Sequence, residues 1–202
     1  ASLMREAKQS LSVVNTKKDA LSLLEALGDP DALHLSTLLC GEHRRQVINE
    51  VKARLTTGKP CRLVSTQVVE AGVDLDFPLV LRALGPLDGI IQAAGRCNRE
   101  GHLPQGRVVV FKPKAGGMPQ GSYRIGADIT AKILSAGPID MDNPHIARDY
   151  FRLLFPIVDT DRDDIQQLRS SLDYPEVAFK FRMIENSESV VIPNFGTPKQ
   201  RH

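Results

Sequence analysis

Two stretches of this 202-residue chain carry side chains suited to work on phosphates. The first is QAAGRCNREG, Gln92 to Gly101, where Gln92, Arg96 and Arg99 recur at i, i+4 and i+7. At about 100° per residue these three share one helical face, with Leu87, Ile90, Ile91 and Ala94 on the other. Guanidinium groups fork onto phosphate oxygens, so an amide and two arginines in a row suit a polyanion. An interior Gly95 costs such a helix about 1 kcal/mol relative to alanine, but its missing side chain lets backbone or ligand come close. A solvated amphipathic face with a tolerated glycine is the plainer alternative, and spacing alone leaves it open.

The second stretch is STQVVEAGVDLD, Ser65 to Asp76. Hydroxyl residues at the end of a buried strand, here Ser65 and Thr66, leave backbone N–H groups and oxygens free to hold a phosphate. Gly72 permits a turn, and Asp74 and Asp76 are acceptors for ribose hydroxyls or for an arginine. An ST-capped turn bearing surface carboxylates fits the same residues. A third cluster, His43-Arg44-Arg45, stands at a predicted helix start, where it opposes the helix dipole unless an anion is near. A nucleic-acid phosphate could be that anion, and a solvated charge run is the plainer alternative. The five histidines form no i, i+4 pair, so no metal site is expected.

The elements that must position these residues follow from apolar runs. LSVVN (11–15), LHLSTLL (33–39), RLVST (62–66), LVLRAL (79–84) and RVVVFK (107–112) read as strands. Helical spacing fills the gaps between them. Thr16 and Asp19 match a capping box ahead of Ala20, Leu23, Leu24 and Leu27, with Gly28 as the stop. Val47, Ile48, Val51 and Leu55 form the next stripe, and Leu87–Arg99 the third. Strands alternating with helices predict an α/β fold with a parallel sheet covered on both faces. Ligands gather at the carboxyl ends of such strands. The Gly/Pro stretch 113–121 reads as a linker. Beyond it, helical patterns near 123–134, 144–155 and 161–172 precede a predicted β-hairpin built from VAFKFRMIE (177–185) and VVIP (190–193). Two domains joined by a linker are therefore expected: 1–112, the linker at 113–121, and an extension over 122–202.

Composition sets further bounds. Net charge is only +2, so any basic surface is local. Three widely spaced cysteines argue against a disulfide framework. With no apolar run of about 20 residues, a cytoplasmic setting without membrane contact is the expectation. No GxxxxGK[ST] occurs, so the chain has no P-loop of its own.

In their order and wording, STQVVEAGVDLD and QAAGRCNREG resemble motifs V and VI of superfamily-two DExH helicases. LHLSTLLCGEHRR, LVSTQVVEAGVDLDF, LGPLDGIIQAAGRCNREG and YPEVAFKFRMIE are similar to one branch, the CRISPR-associated helicase–nucleases of type I systems. The resemblance implies that 1–112 is a second RecA-like motor domain carrying motifs IV to VI. ATP would sit between it and a first RecA-like domain, which would supply the P-loop and hold Mg²⁺. Arg96 and Arg99 would act as arginine fingers, while Gln92, Gly72 and Asp74 would serve the nucleotide. Ser65, Thr66, Thr37, His43 and Arg44 would contact single-stranded DNA. The implied partners are that DNA, the first RecA-like domain and a CRISPR surveillance complex, and the fragment alone would not hydrolyse ATP. A DExH helicase of DNA repair or RNA metabolism, or a silent nucleic-acid-binding RecA-like module, are the alternatives.

Overall fold

A computed structural model describes residues 1–70, 72–114, 116–137, 139–140, 143–161 and 163–181. They divide into two compact units, Ala1–Ile157 and Val158–His202. In the first, five parallel strands form one sheet in the order β2-β3-β1-β4-β5: β1 (Gln9–Val13), β2 (Leu33–Leu35), β3 (Cys61–Ser65), β4 (Leu79–Ala83) and β5 (Arg107–Phe111). Each overlaps one of the apolar runs, with β1 beginning two residues earlier and β2 covering only the first three residues of its run. The central strands are buried on both faces, as parallel strands covered by helices must be.

Two apolar clusters cover those faces. On one, Val47 and Val51 of α3 (Gly41–Thr56) and Ala93 of α4 (Leu87–Ala94) meet Leu11, Leu35, Leu63, Phe77 and Val80. On the other, Met4 of α1 (Ser2–Glu6) and Ala20 and Leu27 of α2 (Lys17–Leu27) meet Val64, Leu79 and Leu81. The Thr16 hydroxyl accepts from the Asp19 N–H at 3.0 Å, and Gly28 closes α2 in the left-handed region at φ 61°. Gly28 can do so because it lacks the Cβ that makes positive φ costly. The carboxylate half of the expected capping box is used elsewhere: Asp19 Oδ1 accepts from the Gly117 N–H at 3.3 Å.

A third cluster joins Leu87 of α4 to Ile129 of α5 (Ser122–Ser135) and Tyr150 of α6 (Pro144–Leu154). The stretch 113–121 therefore runs inside the first unit, and α5 and α6 lie outside α4 as a further layer of that unit. The second unit holds α7 (Ile165–Ser170) and α8 (Tyr174–Lys180), the latter capped by the Asp173 side chain accepting from the Glu176 N–H. The predicted hairpin meets a correction here. Residues 177–180 of its first strand are helical in α8, where the cap outweighs the β-branched and aromatic pattern, and 182–193 lie outside the described residues.

α4 also ends earlier than its periodicity predicts. It stops at Ala94, with Gly95 as its C-cap at φ −63°, and Asn98 turns the chain at φ 48°. The reason is tertiary. The Phe77 N–H donates to the Arg96 carbonyl at 2.9 Å, and the Asn98 N–H donates to the Phe77 carbonyl at 3.0 Å. Backbone groups that a continued helix would have used are spent on the segment before β4. Gly95 is thus a terminal residue, and Arg96 and Arg99 leave the helix for a turn beyond it.

Candidate functional site

Because β1, β3 and β4 are parallel, their carboxyl ends bring Asn15, Ser65-Thr66 and Leu84-Gly85 to one edge of the sheet. From β3 the chain enters a single 3-10 turn, Gln67–Val69, then passes Glu70, Gly72 and Asp74 before returning to β4. Gly72 sits at φ 74°, and a Cβ placed there would meet nothing within 4 Å, so its backbone angle rather than crowding calls for glycine.

The turn after α4 folds against this segment. Arg96 is half-buried, and its guanidinium donates from Nε to the Val69 carbonyl at 3.2 Å and from Nη2 to the Glu70 carbonyl at 3.0 Å. Arg99 lies at the surface with its Nη1 3.1 Å from Asp74 Oδ1, the two side chains 47% and 69% exposed. The Asp76 carboxylate accepts the Arg99 and Glu100 N–H groups at 2.7 and 3.3 Å. Arg96, Arg99, Gly72 and Asp74 are thereby joined through one pair of segments. Gln92 stands apart, exposed on the last turn of α4 and bonded to none of them. Between the arginines, burial pushes the Cys97 thiol up from its ordinary value.

The residues expected to meet a strand divide. Thr66 and Thr37 line a groove of about 530 Å³ together with Asn15, Thr16, Lys17, Gln67 and Val68. Hydroxyls, amides and one ammonium border it at the strand ends, although most of its lining is apolar. Ser65 is a correction: it is fully buried, and its hydroxyl is committed to the Leu35 and Thr66 carbonyls at 2.9 and 2.8 Å. A hydroxyl sealed between neighbouring strands cannot reach a ligand. His43 and Arg44 lie in the first turn of α3, outside the groove. Arg44 borders a separate hollow of about 280 Å³ with Leu35, Gly41, Arg45, Ile48 and Val68. Glu42, 2.9 Å from Arg45, offsets the basic residues near the positive end of the helix.

Asn15, Thr16 and Gln67 were legible as polar strand exits, where ligands gather in such a sheet, but sequence reasoning missed Lys17 beside them. It also missed Arg82. A charged residue in the middle of LVLRAL was the signal, because a fully buried guanidinium demands a partner. That partner is Glu70, with Oε1 2.9 Å from Arg82 Nη2. Burial pushes the Glu70 carboxyl up, and Arg82 pulls it back toward ionisation.

Known proteins share part of this sequence and its fold. Residues 6–102 match the family model for the CRISPR-associated nuclease/helicase Cas3, C-terminal part. The chain carries a Cas3-like C-terminal helicase domain. That domain is 47% identical over 70 residues to the CRISPR-associated nuclease/helicase Cas3 of Haloferax volcanii, covering 33% of this chain and 8% of the relative. It is 38% identical over 93 residues to the Cas3 of Methanothermobacter thermautotrophicus, covering 46% of this chain and 11% of that one. The matched segments thus span about a tenth of the curated relatives. In fold it is similar to the crystal structure of T. fusca Cas3, with a TM-score of 0.60 at 19% identity over 89% of this chain and 23% of that one. The parallel sheet with helices on both faces is RecA-like. Among the described residues, no helix of the Cas3-like chain is long and apolar enough to cross a membrane.

Proposed function

We propose that this chain is the second motor lobe of an ATP-dependent single-stranded-DNA translocase acting in CRISPR interference. The observation that carries the reading is the joint between the two segments: Arg96 seated on the Val69 and Glu70 carbonyls, and Arg99 on Asp74. A pair of arginines presented from one turn, one steadied by backbone and one at the surface, fits the oxygens of a triphosphate. The donor set agrees, since both groups are permanent cations with planar forks. The T. fusca relative has been seen with AMPPNP, and a chain of like fold (TM-score 0.56, 19% identity) occurs in a CRISPR RNA-guided surveillance complex. These support ATP and such a complex as ligand and partner here.

When bound, ATP supplies the phosphoryl group whose transfer drives the motor, with Mg²⁺ held by the P-loop lobe. What this chain adds is charge and position. Arg99 exchanges Asp74 for a phosphate oxygen. The freed Asp74 turns to the ribose, above the open turn at Gly72. Arg96 keeps its carbonyl seats through Nε and one Nη2 hydrogen and presents its remaining N–H groups to the γ-phosphate, and Gln92 couples the cleft to α4. At the groove, Thr66, Thr37, Asn15 and Lys17 grip phosphates and sugars of the strand, with His43 and Arg44 extending the path. Such contacts ignore sequence and weaken with salt.

The test is made in the intact enzyme. Arg96→Ala and Arg99→Ala each lower ATP turnover by roughly 10³-fold, the scale of finger loss in phosphoryl transfer, while DNA affinity measured by anisotropy stays within a few-fold. Wild-type turnover in both variants overturns the reading. The chain without a P-loop lobe shows no turnover of its own.

A further inference from the structure

Resting on the motor reading above, one cluster goes further than it. Arg82 is completely buried within β4, and both terminal nitrogens of its guanidinium are engaged, while Nε has no hydrogen-bond partner. Nη1 donates to Asn15 Oδ1 at 2.7 Å and to the Ala83 carbonyl at 2.9 Å. Nη2 donates to the Tyr123 hydroxyl at 3.2 Å and lies 2.9 Å from the Glu70 carboxylate. The Tyr123 hydroxyl in turn donates to Asn15 Oδ1 at 2.8 Å, and the Asn15 amide donates to the Leu84 carbonyl at 2.8 Å.

Two residues tie this cluster to the groove. Asn15 and Gln67 both line it, and Gln67 Nε2 donates to the Asn15 carbonyl at 3.1 Å. At the other end, Glu70 is held twice: its carboxylate by Arg82, and its carbonyl as the acceptor for Arg96 Nη2. A shift of Glu70 therefore moves the seat of Arg96. Space for the cluster is reserved by glycine. A Cβ at Gly85 would lie 2.8 Å from the Tyr123 hydroxyl, and one at Gly89 3.3 Å from Arg82 Nη2 and 3.4 Å from Glu70 Oε2. Tyr123 belongs to α5, outside residues 6–102 that match the family model.

We propose that Arg82, clamped by Tyr123 of α5 and by Asn15 at the groove, is a positioning residue that sets Arg96 through Glu70. Strand occupancy at Asn15 and the placement of α5 then both bear on the same finger. Arg82, Tyr123 and Glu70 touch no substrate in this role; each acts through Arg96. α5 is in that case a working part of the motor.

The experiment uses the intact enzyme with a poly-dT oligonucleotide. Tyr123→Phe removes one hydroxyl and keeps the ring, so the fold is spared. The DNA-saturated kcat falls about three- to tenfold, the scale of one hydrogen bond's net contribution, while the KM for ATP and the Kd for the oligonucleotide stay within about twofold. In an Arg96→Lys background the same change costs less than about twofold, because the residue it positions is already altered. An unchanged kcat in Tyr123→Phe, or equal losses in both backgrounds, overturns the proposal while leaving Arg96 as a finger. Wild-type turnover in Arg96→Ala overturns this inference, and wild-type turnover in Arg99→Ala as well overturns the motor reading with it.

Discussion

Two arginine–carboxylate pairs flank the segment between β3 and β4, and they live in different media. Arg82 and Glu70 have side chains 0% and 12% exposed; Arg99 and Asp74 are 47% and 69% exposed. Their distances, 2.9 and 3.1 Å, hardly differ. What differs is the water around them. A charge taken out of water cannot lose its partner without a large penalty, whereas an exposed pair trades its partner for solvent or another anion at small cost. The buried pair is therefore suited to holding a backbone in place, and the exposed one to exchange.

The contrast is broken or sharpened by three stability measurements on the folded chain. Arg82→Ala leaves the Glu70 carboxylate buried without its cation and lowers stability by about 3–5 kcal/mol, read from the urea midpoint at unchanged slope. Gly85→Ala leaves both charges in place but drives a methyl toward the Tyr123 hydroxyl, 2.8 Å away, and costs about 1–3 kcal/mol. Asp74→Ala costs under about 1 kcal/mol, and the difference from wild type shrinks further in about 0.5 M salt, a concentration at which exposed pairs are screened over roughly 4 Å. A loss in Asp74→Ala as large as that in Arg82→Ala would abolish the distinction.

Much of the frame was legible in the chain. The five strands, the Thr16 cap, the Gly28 stop and the stripe on α3 are local signals, each set by residues within a turn or two of one another. The proximity of the Ser65–Asp76 and Gln92–Gly101 stretches followed from motif order rather than from periodicity. What periodicity misjudged was the end of α4. A repeat of 3.6 residues carries no sign that Phe77 will take the Arg96 carbonyl and the Asn98 N–H for itself. Ser65 was misjudged for a related reason: a hydroxyl at a strand end points either into the sheet or out of it, and neighbouring β2 decides which. Arg82 was readable in principle, as a cation inside an apolar run, but its partners come from Asn15, Glu70 and Tyr123, far apart in sequence.

The seam at Phe77 has a mechanical consequence. Two main-chain hydrogen bonds lock the arginine-bearing turn to the very strap that bears Asp74 and Asp76, and neither bond depends on which side chains are present. Any tilt of the strap is passed to the backbone from which both arginines extend. Substitutions can blunt either tip, but they leave the lever on which both are mounted intact.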